Sequence, residues 1–220
     1  MKKNYQFDTE LYCITAEELS MGRSNIEVVK DMIEAGVKII QYREKDKKMQ
    51  DKYRECSEIR ELTKAAGVTF IVNDDIALAM IVQADGVHIG QDDMPIEKVR
   101  ELVGDKMIIG LSTHCPAEAQ QAVLSGADYI GVGPMFKTAT KKDVSDPVGF
   151  EYLEYVAKNI SIPFVAIGGI KMSNIPEVMK SGTECMAIIS EITTAHNIPE
   201  KISQIRAVIN NNIMKKLIVK

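Results

Sequence analysis

The chain has 220 residues, of which 45% are hydrophobic and 26% are charged, and its formal net charge is −4. This composition is typical of a globular protein with ample apolar material for a core. The net negative charge argues against a general nucleic-acid binder, which normally carries a basic stripe. No apolar run reaches the roughly 18 residues that a membrane span requires, and no apolar signal-peptide segment follows the basic start. We therefore expect a cytoplasmic protein.

The four cysteines lie far apart and show no Cys-x-x-Cys spacing. Neither a zinc knuckle nor a disulfide framework is indicated by this pattern.

Short β-branched runs alternate along the chain with longer segments of helical periodicity. The predicted strands are 11–15, 38–43, 69–73, 86–90, 107–112, 129–133, 163–168 and 185–190. The predicted helices are 24–35, 50–66, 75–82, 95–103, 116–125, 149–158, 173–181 and 198–210. Ser24 and Ser173 are predicted N-caps, and glycines such as Gly67 follow the periodic segments as stop signals.

Eight β–α units without a break predict a single-domain α/β protein with the (β/α)8 fold, a TIM barrel. The domain is predicted to span 1–220, with the barrel over about 11–210 and a C-terminal extension over 211–220. Predicted strands that are apolar on both faces fit a sheet covered by helices. The alternative, a doubly wound sheet, suits fewer units and lacks a Gly-x-Gly-x-x-Gly after the first strand.

The second predicted strand ends in an unusual polar run. Strand side chains alternate between faces, so Gln41, Arg43 and Lys45 share one face with the apolar Ile39. Charges that begin in a buried place are costly to desolvate unless an anion meets them. An ordinary ion-paired strand end is the simpler interpretation, and an anion site is the functional one.

The ends of the third and fourth strands carry carboxylates. Asn73-Asp74-Asp75 follows one strand, and Asp92-Asp93 follows the next one. These residues could cap the following helices. Carboxylates that face cations also suit a site for Mg²⁺ and phosphate, since Mg²⁺ prefers a few carboxylates together with substrate phosphates and waters. His88 lies in the middle of the fourth strand and is expected to be a hydrogen-bonded structural residue.

The last four strand ends are also polar. Ser112 ends the fifth strand, and a long loop at 134–148, a length typical of functional loops, carries Thr138, Thr140 and Lys141. Gly168-Gly169 ends the seventh strand and Ser190 ends the eighth. Chemistry in a barrel sits at the carboxyl ends of the strands, often with a backbone phosphate cradle after the last two. The residues thus predict a cation- and metal-rich pocket beside a backbone cradle.

Taken in order, the segments IIQYREK, IVNDD, ADGVHIGQDD, GADYIGVGP, TATKK and AIGGI resemble the thiamine-phosphate synthase family. The resemblance runs from about residue 11 to 205. It implies an enzyme that joins hydroxymethylpyrimidine diphosphate to a thiazole phosphate and releases pyrophosphate. The family's reaction is dissociative: the diphosphate leaves first, and the thiazole nitrogen captures the pyrimidine-methyl cation.

The resemblance gives each polar strand end a role. Implied catalytic residues, which would stabilise the leaving diphosphate, are Arg43, Lys45, Lys141 and Ser112. Implied Mg²⁺ ligands are Asp74 and Asp93. Implied substrate-binding residues are Gln41 and Asn73 for the pyrimidine and diphosphate, Thr138 and Thr140 for the thiazole, and the backbone of Gly169, Ile189 and Ser190 for the thiazole phosphate.

Lys137 and Thr113 depart from the family pattern, which often has proline and alanine there. Two other functions stay open at this point: a related thiazole tautomerase, which needs no diphosphate site, and a non-catalytic ligand-binding barrel. The sequence leaves the oligomeric state undetermined.

Overall fold

The computed structural model describes residues 7–138 and 146–218. Its eight strands are parallel and hydrogen-bonded in chain order, and β8 pairs with β1 to close the barrel. The strands are β1 (Leu11–Ile14), β2 (Ile39–Tyr42), β3 (Thr69–Asn73), β4 (Gly86–Ile89), β5 (Ile108–Thr113), β6 (Tyr129–Val132), β7 (Phe164–Ile167) and β8 (Met186–Ile188). The predicted (β/α)8 fold is confirmed, with each strand at its predicted place.

Helices follow the strands and cover the outside of the barrel. They are α1 (Asn25–Glu34), α2 (Met49–Ala66), α3 (Ile76–Ile81), α4 (Ile96–Val103), α5 (Pro116–Leu124), α6 (Phe150–Asn159), α7 (Ile175–Lys180), α8 (Ser190–Thr193) and α9 (Ile198–Ile218). The short α8 and a 3₁₀ turn at Glu17–Leu19 were not predicted. Both have fewer than two helical turns, which is too short to show a hydrophobic period.

Strand alternation divides the apolar residues into two layers. Outward residues such as Cys13 and Ile40 pack against the helices in the larger core. Inward residues such as Tyr12, Ile71 and Tyr129 fill the barrel interior. The inward residues nearest the carboxyl ends of the strands therefore line the mouth of the barrel, and their identities decide what the mouth can bind.

Local signals explain most helix boundaries. Ser24 forms the predicted N-cap of α1, where a reciprocal capping box with Glu27 satisfies two backbone N–H groups. Gly67 ends α2 in the left-handed region at φ +66°, which glycine adopts without strain. The prediction for Ser173 was wrong: Asn174 occupies the N-cap of α7, and its Oδ1 accepts the N–H of Lys171 rather than one in the helix.

The last helix is longer than predicted. The Asn210-Asn211-Asn212 run favours a helix end because asparagine is a poor helix former, yet α9 continues to Ile218. Asn212 turns its Nδ2 back to the Val208 carbonyl oxygen at 2.7 Å, so this side chain supports the helix beyond its predicted end at residue 210. Ile202 and Ile209 anchor α9 in the core.

All four cysteines are free thiols, and three of them are buried. Over the described ranges, no helix combines the length and the apolar character that crossing a bilayer would take.

Candidate active site

A pocket of about 370 Å³ opens at the carboxyl ends of the strands. Its lining comes from seven of the eight strands or the residues directly after them, and joins polar side chains on one side to apolar ones on the other. The lining residues are Tyr12, Ile14, Gln41, Arg43, Asn73, His88, Tyr129, Gly131, Val165, Ile167 and Ala187. The structure therefore brings three of the predicted site residues, Gln41, Arg43 and Asn73, into one cavity.

Alternation along β2 places its polar end as predicted. Gln41 and Arg43 face the pocket, whereas Tyr42 faces outward and donates its hydroxyl to Glu55 of α2 at 2.7 Å. Gln41 is only 3% exposed. Within residues 7–138 and 146–218, no carboxylate forms an ion pair with the Arg43 guanidinium. A half-buried cation in a pocket favours the anion site over the ion-paired strand end.

Lys45 and two carboxylates form the second cluster at the mouth. The Lys45 Nζ lies 3.4 Å from the Asp74 Oδ2. Burial raises the pKa of Asp74, the nearby carboxylate of Asp93 raises it further, and Lys45 opposes both effects. Two like charges held this close are a favourable place for a cation.

Asp74 and Asp93 alone would give a metal ion only two protein side chains as ligands. In the described part of the chain, no three His, Cys, Asp or Glu side chains gather as a metal-binding group. A divalent ion at Asp74 and Asp93 would thus need further ligands from substrate and water, which is the coordination that Mg²⁺ prefers.

Helix capping does not explain these carboxylates. Asp75 holds the N-cap position of α3, but its side chain makes no capping hydrogen bond and pairs instead with Lys52 at 3.0 Å. The N-cap of α4 is Pro95, and the Asp93 Oδ2 accepts the Gly90 N–H at 2.7 Å. Asp74 also has φ +61°, an unusual backbone conformation for a residue other than glycine.

Ser112 lies on the inner face of β5 beside His88 of β4. Its Oγ is 2.9 Å from the His88 Nε2, and the His88 Nδ1 is 2.9 Å from the Tyr129 hydroxyl. His88 is thus hydrogen-bonded as predicted, yet it also lines the pocket. Tyr12 and Tyr129 were not predicted as site residues. Strand alternation could have identified them. It places Tyr12 on the same face of β1 as Ile14, and Tyr129 on the same face of β6 as Gly131.

The residues predicted to form a backbone cradle lie at the ends of β7 and β8. Gly168 and Gly169 have φ +100° and +65°, and a Cβ on Gly169 would lie 2.8 Å from the Phe136 Cβ. Only glycine fits this conformation and this approach. Ile189 and Ser190 form the N-cap and first residue of α8. None of these residues lines the cavity of about 370 Å³, so the structure places them at a separate part of the mouth.

The loop after β6 is described only in part. Thr138 is half-buried, while the predicted residues Thr140 and Lys141 lie outside the described residues. Thr113, which departs from the family pattern, faces outward: its Oγ1 donates to the Gly131 carbonyl oxygen at 3.0 Å and accepts the Tyr152 hydroxyl at 2.7 Å. Thr113 therefore supports the barrel wall and leaves the pocket surface unchanged.

A network of ionic groups supports the end of β2 on the side away from the pocket. Lys47 forms ion pairs with Glu17 and Glu55, and Asn25 of α1 also donates to Glu55 at 3.0 Å. Glu44 turns away from the pocket, as alternation predicts, and accepts the Glu17 N–H at 2.9 Å. The segment that carries Arg43 and Lys45 is thereby fixed to α1 and α2.

Fold and site together define a barrel enzyme with cations, paired carboxylates and a glycine turn at its mouth. Residues 11–192 match the family model described as thiamine monophosphate synthase. The chain belongs to this family, which confirms the resemblance and the prediction of a transferase.

Individual relatives agree with the family match. A thiamine-phosphate synthase from Pelotomaculum thermopropionicum is 63% identical over 203 residues, covering 92% of this chain and 93% of the relative. One from Lawsonia intracellularis is 54% identical over 202 residues, with the same two coverages. The solved thiamine phosphate pyrophosphorylase from Pyrococcus furiosus superposes with a TM-score of 0.83 at 34% identity, covering 92% of this chain and 96% of that one.

Proposed function

We propose that the protein joins hydroxymethylpyrimidine diphosphate to a thiazole phosphate, giving thiamine phosphate and pyrophosphate. Family membership supports the activity. The observation that carries the substrate assignment is the convergence of Gln41, Arg43 and Asn73 on one pocket, with the Arg43 guanidinium lacking an ion pair in the described structure. A barrel that binds no anion would only lose stability by holding a cation this way, whereas an enzyme that releases pyrophosphate would use it to meet the departing anion.

The leaving diphosphate is the group that needs stabilisation. When the bond between the pyrimidine methylene carbon and the diphosphate oxygen breaks, its electron pair leaves with that oxygen. Fixed cations beside this oxygen lower the barrier because the charge there grows in the transition state. Arg43, Lys45 and Lys141 would supply that charge, and the Ser112 hydroxyl would donate to a phosphate oxygen.

The carbon–nitrogen bond forms in the second half of the reaction. The thiazole nitrogen donates its electron pair to the pyrimidine-methyl cation, so no protein nucleophile is required. The pocket would contribute orientation, through Gln41 and Asn73 on the pyrimidine side and Thr138 and Thr140 on the thiazole side. The backbone of Gly169, Ile189 and Ser190 would hold the thiazole phosphate.

Asp74 and Asp93 fit a Mg²⁺ ion. Their mutual repulsion, expressed in the raised pKa of Asp74, is the condition that a bound cation relieves. Mg²⁺ bound here would neutralise part of the diphosphate charge. Lys45, 3.4 Å from Asp74, would then bridge the metal ligands and the diphosphate site.

The test is product formation by the purified protein. With both substrates and Mg²⁺, we expect pyrophosphate and thiamine phosphate in equal amounts, measured by phosphate-coupled assay and by chromatography. A thiazole tautomerase would instead isomerise the thiazole carboxylate phosphate without the pyrimidine substrate, using a group such as His88 in the pocket. Isomerisation without pyrophosphate release would replace the proposal with that activity.

A further inference from the structure

Five side chains form a continuous chain of hydrogen bonds across the barrel interior below the mouth. The Gln41 Nε2 donates to the Tyr12 hydroxyl at 2.9 Å, and the Tyr12 and Tyr129 hydroxyls are 2.8 Å apart. The Tyr129 hydroxyl is 2.9 Å from the His88 Nδ1, and the His88 Nε2 is 2.9 Å from the Ser112 Oγ. We call this set the relay. It connects the predicted pyrimidine-binding residue to the predicted diphosphate-binding hydroxyl.

The sequence leaves room for the relay at two inward positions. A Cβ on Gly110 of β5 would lie 2.1 Å from the Tyr129 Cζ, so only glycine permits the observed tyrosine position. A Cβ on Gly131 of β6 would lie 3.4 Å from the His88 Cε1, on the pocket side of the ring. Tyr12 and Tyr129 are each no more than 2% exposed. Buried hydroxyls in a core depend on such partners.

Hydrogen-bond chemistry allows the relay two directions, because each hydroxyl donates one proton and can accept two hydrogen bonds. In one direction, the Tyr12 hydroxyl accepts from Gln41 and donates to Tyr129, and the Tyr129 hydroxyl donates to the His88 Nδ1. A neutral His88 would carry its proton on Nε2 and donate to the Ser112 Oγ. The Ser112 proton would then be available to point into the mouth.

We propose that Tyr12, Tyr129 and His88 are positioning residues that turn the Ser112 hydroxyl proton toward the diphosphate. The inference rests on the proposed function of Ser112. In the opposite direction, Ser112 would donate to His88 and present only oxygen lone pairs to an anion, which would repel it. In the proposed direction the Gln41 amide, the proposed pyrimidine-binding group, is the first donor of the series that ends at the Ser112 hydroxyl.

The test is a double-mutant cycle on pyrophosphate release and on pyrophosphate affinity by calorimetry. Tyr129→Phe keeps the ring and removes the relay hydroxyl, and we expect about a tenfold loss in kcat, the size of one misoriented hydrogen bond to a charged group. In a Ser112→Ala background, Tyr129→Phe should cause no further loss, because the group it positions is gone. Pyrophosphate affinity should show the same non-additivity.

Tyr152→Phe is the matched control. It also removes a buried tyrosine hydroxyl that is hydrogen-bonded at 2.7 Å, but on the outer face of the barrel at Thr113. We expect near wild-type kcat with Tyr152→Phe, and the same small effect with or without Ser112. If Tyr129→Phe and Ser112→Ala reduce kcat and pyrophosphate affinity independently, the relay does not position Ser112.

The His88 protonation state gives a readout that does not depend on turnover. The chain has three histidines, so ¹⁵N NMR of the imidazoles, with His88→Gln for assignment, identifies the tautomer. We expect a proton on Nε2, in the free protein and with pyrophosphate bound, and a proton on Nδ1 alone would overturn the proposed direction. A wild-type protein that releases no pyrophosphate defeats the proposed function, whereas an active protein with additive variants defeats only this inference.

Discussion

At the scale of single residues, Asp74 combines three features that destabilise the folded protein. Its carboxylate is half-buried beside Asp93, its pKa is raised by burial and by that neighbour, and its backbone has φ +61°. Each of these features raises the free energy of the folded state when no cation is bound. Residues under such strain cluster at functional sites.

Asp74→Asn should therefore stabilise the protein in the absence of Mg²⁺. The substitution removes the repulsion with Asp93, and asparagine tolerates positive φ well. We expect a gain of about 1 kcal/mol in the free energy of unfolding, measured by urea denaturation with chelator present. Turnover should fall at low Mg²⁺ concentration.

The neighbouring Asp75 provides the matched control. Its carboxylate pairs with Lys52 at 3.0 Å, so Asp75→Asn should lower stability. If Asp74→Asn lowers the free energy of unfolding as much as Asp75→Asn does, with chelator present, then Asp74 is a structural residue rather than a binding one.

At the scale of elements, the segment after β2 depends on groups that never face the pocket. Lys47 bridges Glu17 and Glu55, and these connect the segment to the 3₁₀ turn and to α2. Burial alone would raise the pKa of Glu55, but hydrogen bonds from Lys47, Asn25 and Tyr42 outweigh it and lower that pKa. A glutamate with a lowered pKa stabilises the fold above its ordinary titration range, and this contribution disappears as the pH falls through its folded-state pKa.

Lys47→Met should cost about 3 kcal/mol at neutral pH, because it leaves the Glu55 carboxylate buried without its cation. The difference from wild type should narrow on acidification, as Glu55 becomes protonated in the variant. Urea unfolding at several pH values checks this. Adding Glu55→Gln to Lys47→Met should recover much of the loss at neutral pH, and a constant difference at all pH values would contradict the ionic role of Lys47.

The same elements show what a single sequence can predict. Alternation correctly placed Gln41 and Arg43 on the pocket side and Glu44 on the other, because the side-chain period of a strand is fixed by its backbone. The polar residues at the strand ends likewise located the mouth, since parallel strands of a barrel end together. The contact of Tyr12 with Tyr129 could not be predicted from the sequence, because it depends on the stagger between β1 and β6, which face each other across the barrel interior. The end of α9 was missed because the low helix propensity of asparagine is overridden locally, where the Asn212 Nδ2 donates to the Val208 carbonyl oxygen.

At the scale of the whole molecule, the site belongs to no single element. β2 contributes Gln41 and leads to Arg43, β3 leads to Asp74, and β5 contributes Ser112, while the ends of β7 and β8 supply the glycine turn and the start of α8. Barrel closure brings these strand ends to one rim. In the proposed function, the diphosphate and the thiazole phosphate would be held at different parts of this mouth, so that the two substrates meet between them.

If this rim holds the departing diphosphate through Arg43, as proposed, reversing that charge should stop the reaction, and the same reversal elsewhere should not. Arg43→Glu is measured beside Arg54→Glu, which reverses the same charge on the exposed surface of α2, where the Arg54 side chain is 75% exposed. We predict that Arg43→Glu lowers pyrophosphate release by more than about 10³-fold with an unchanged circular dichroism spectrum, while Arg54→Glu stays near wild type. Full activity in Arg43→Glu would contradict the claim.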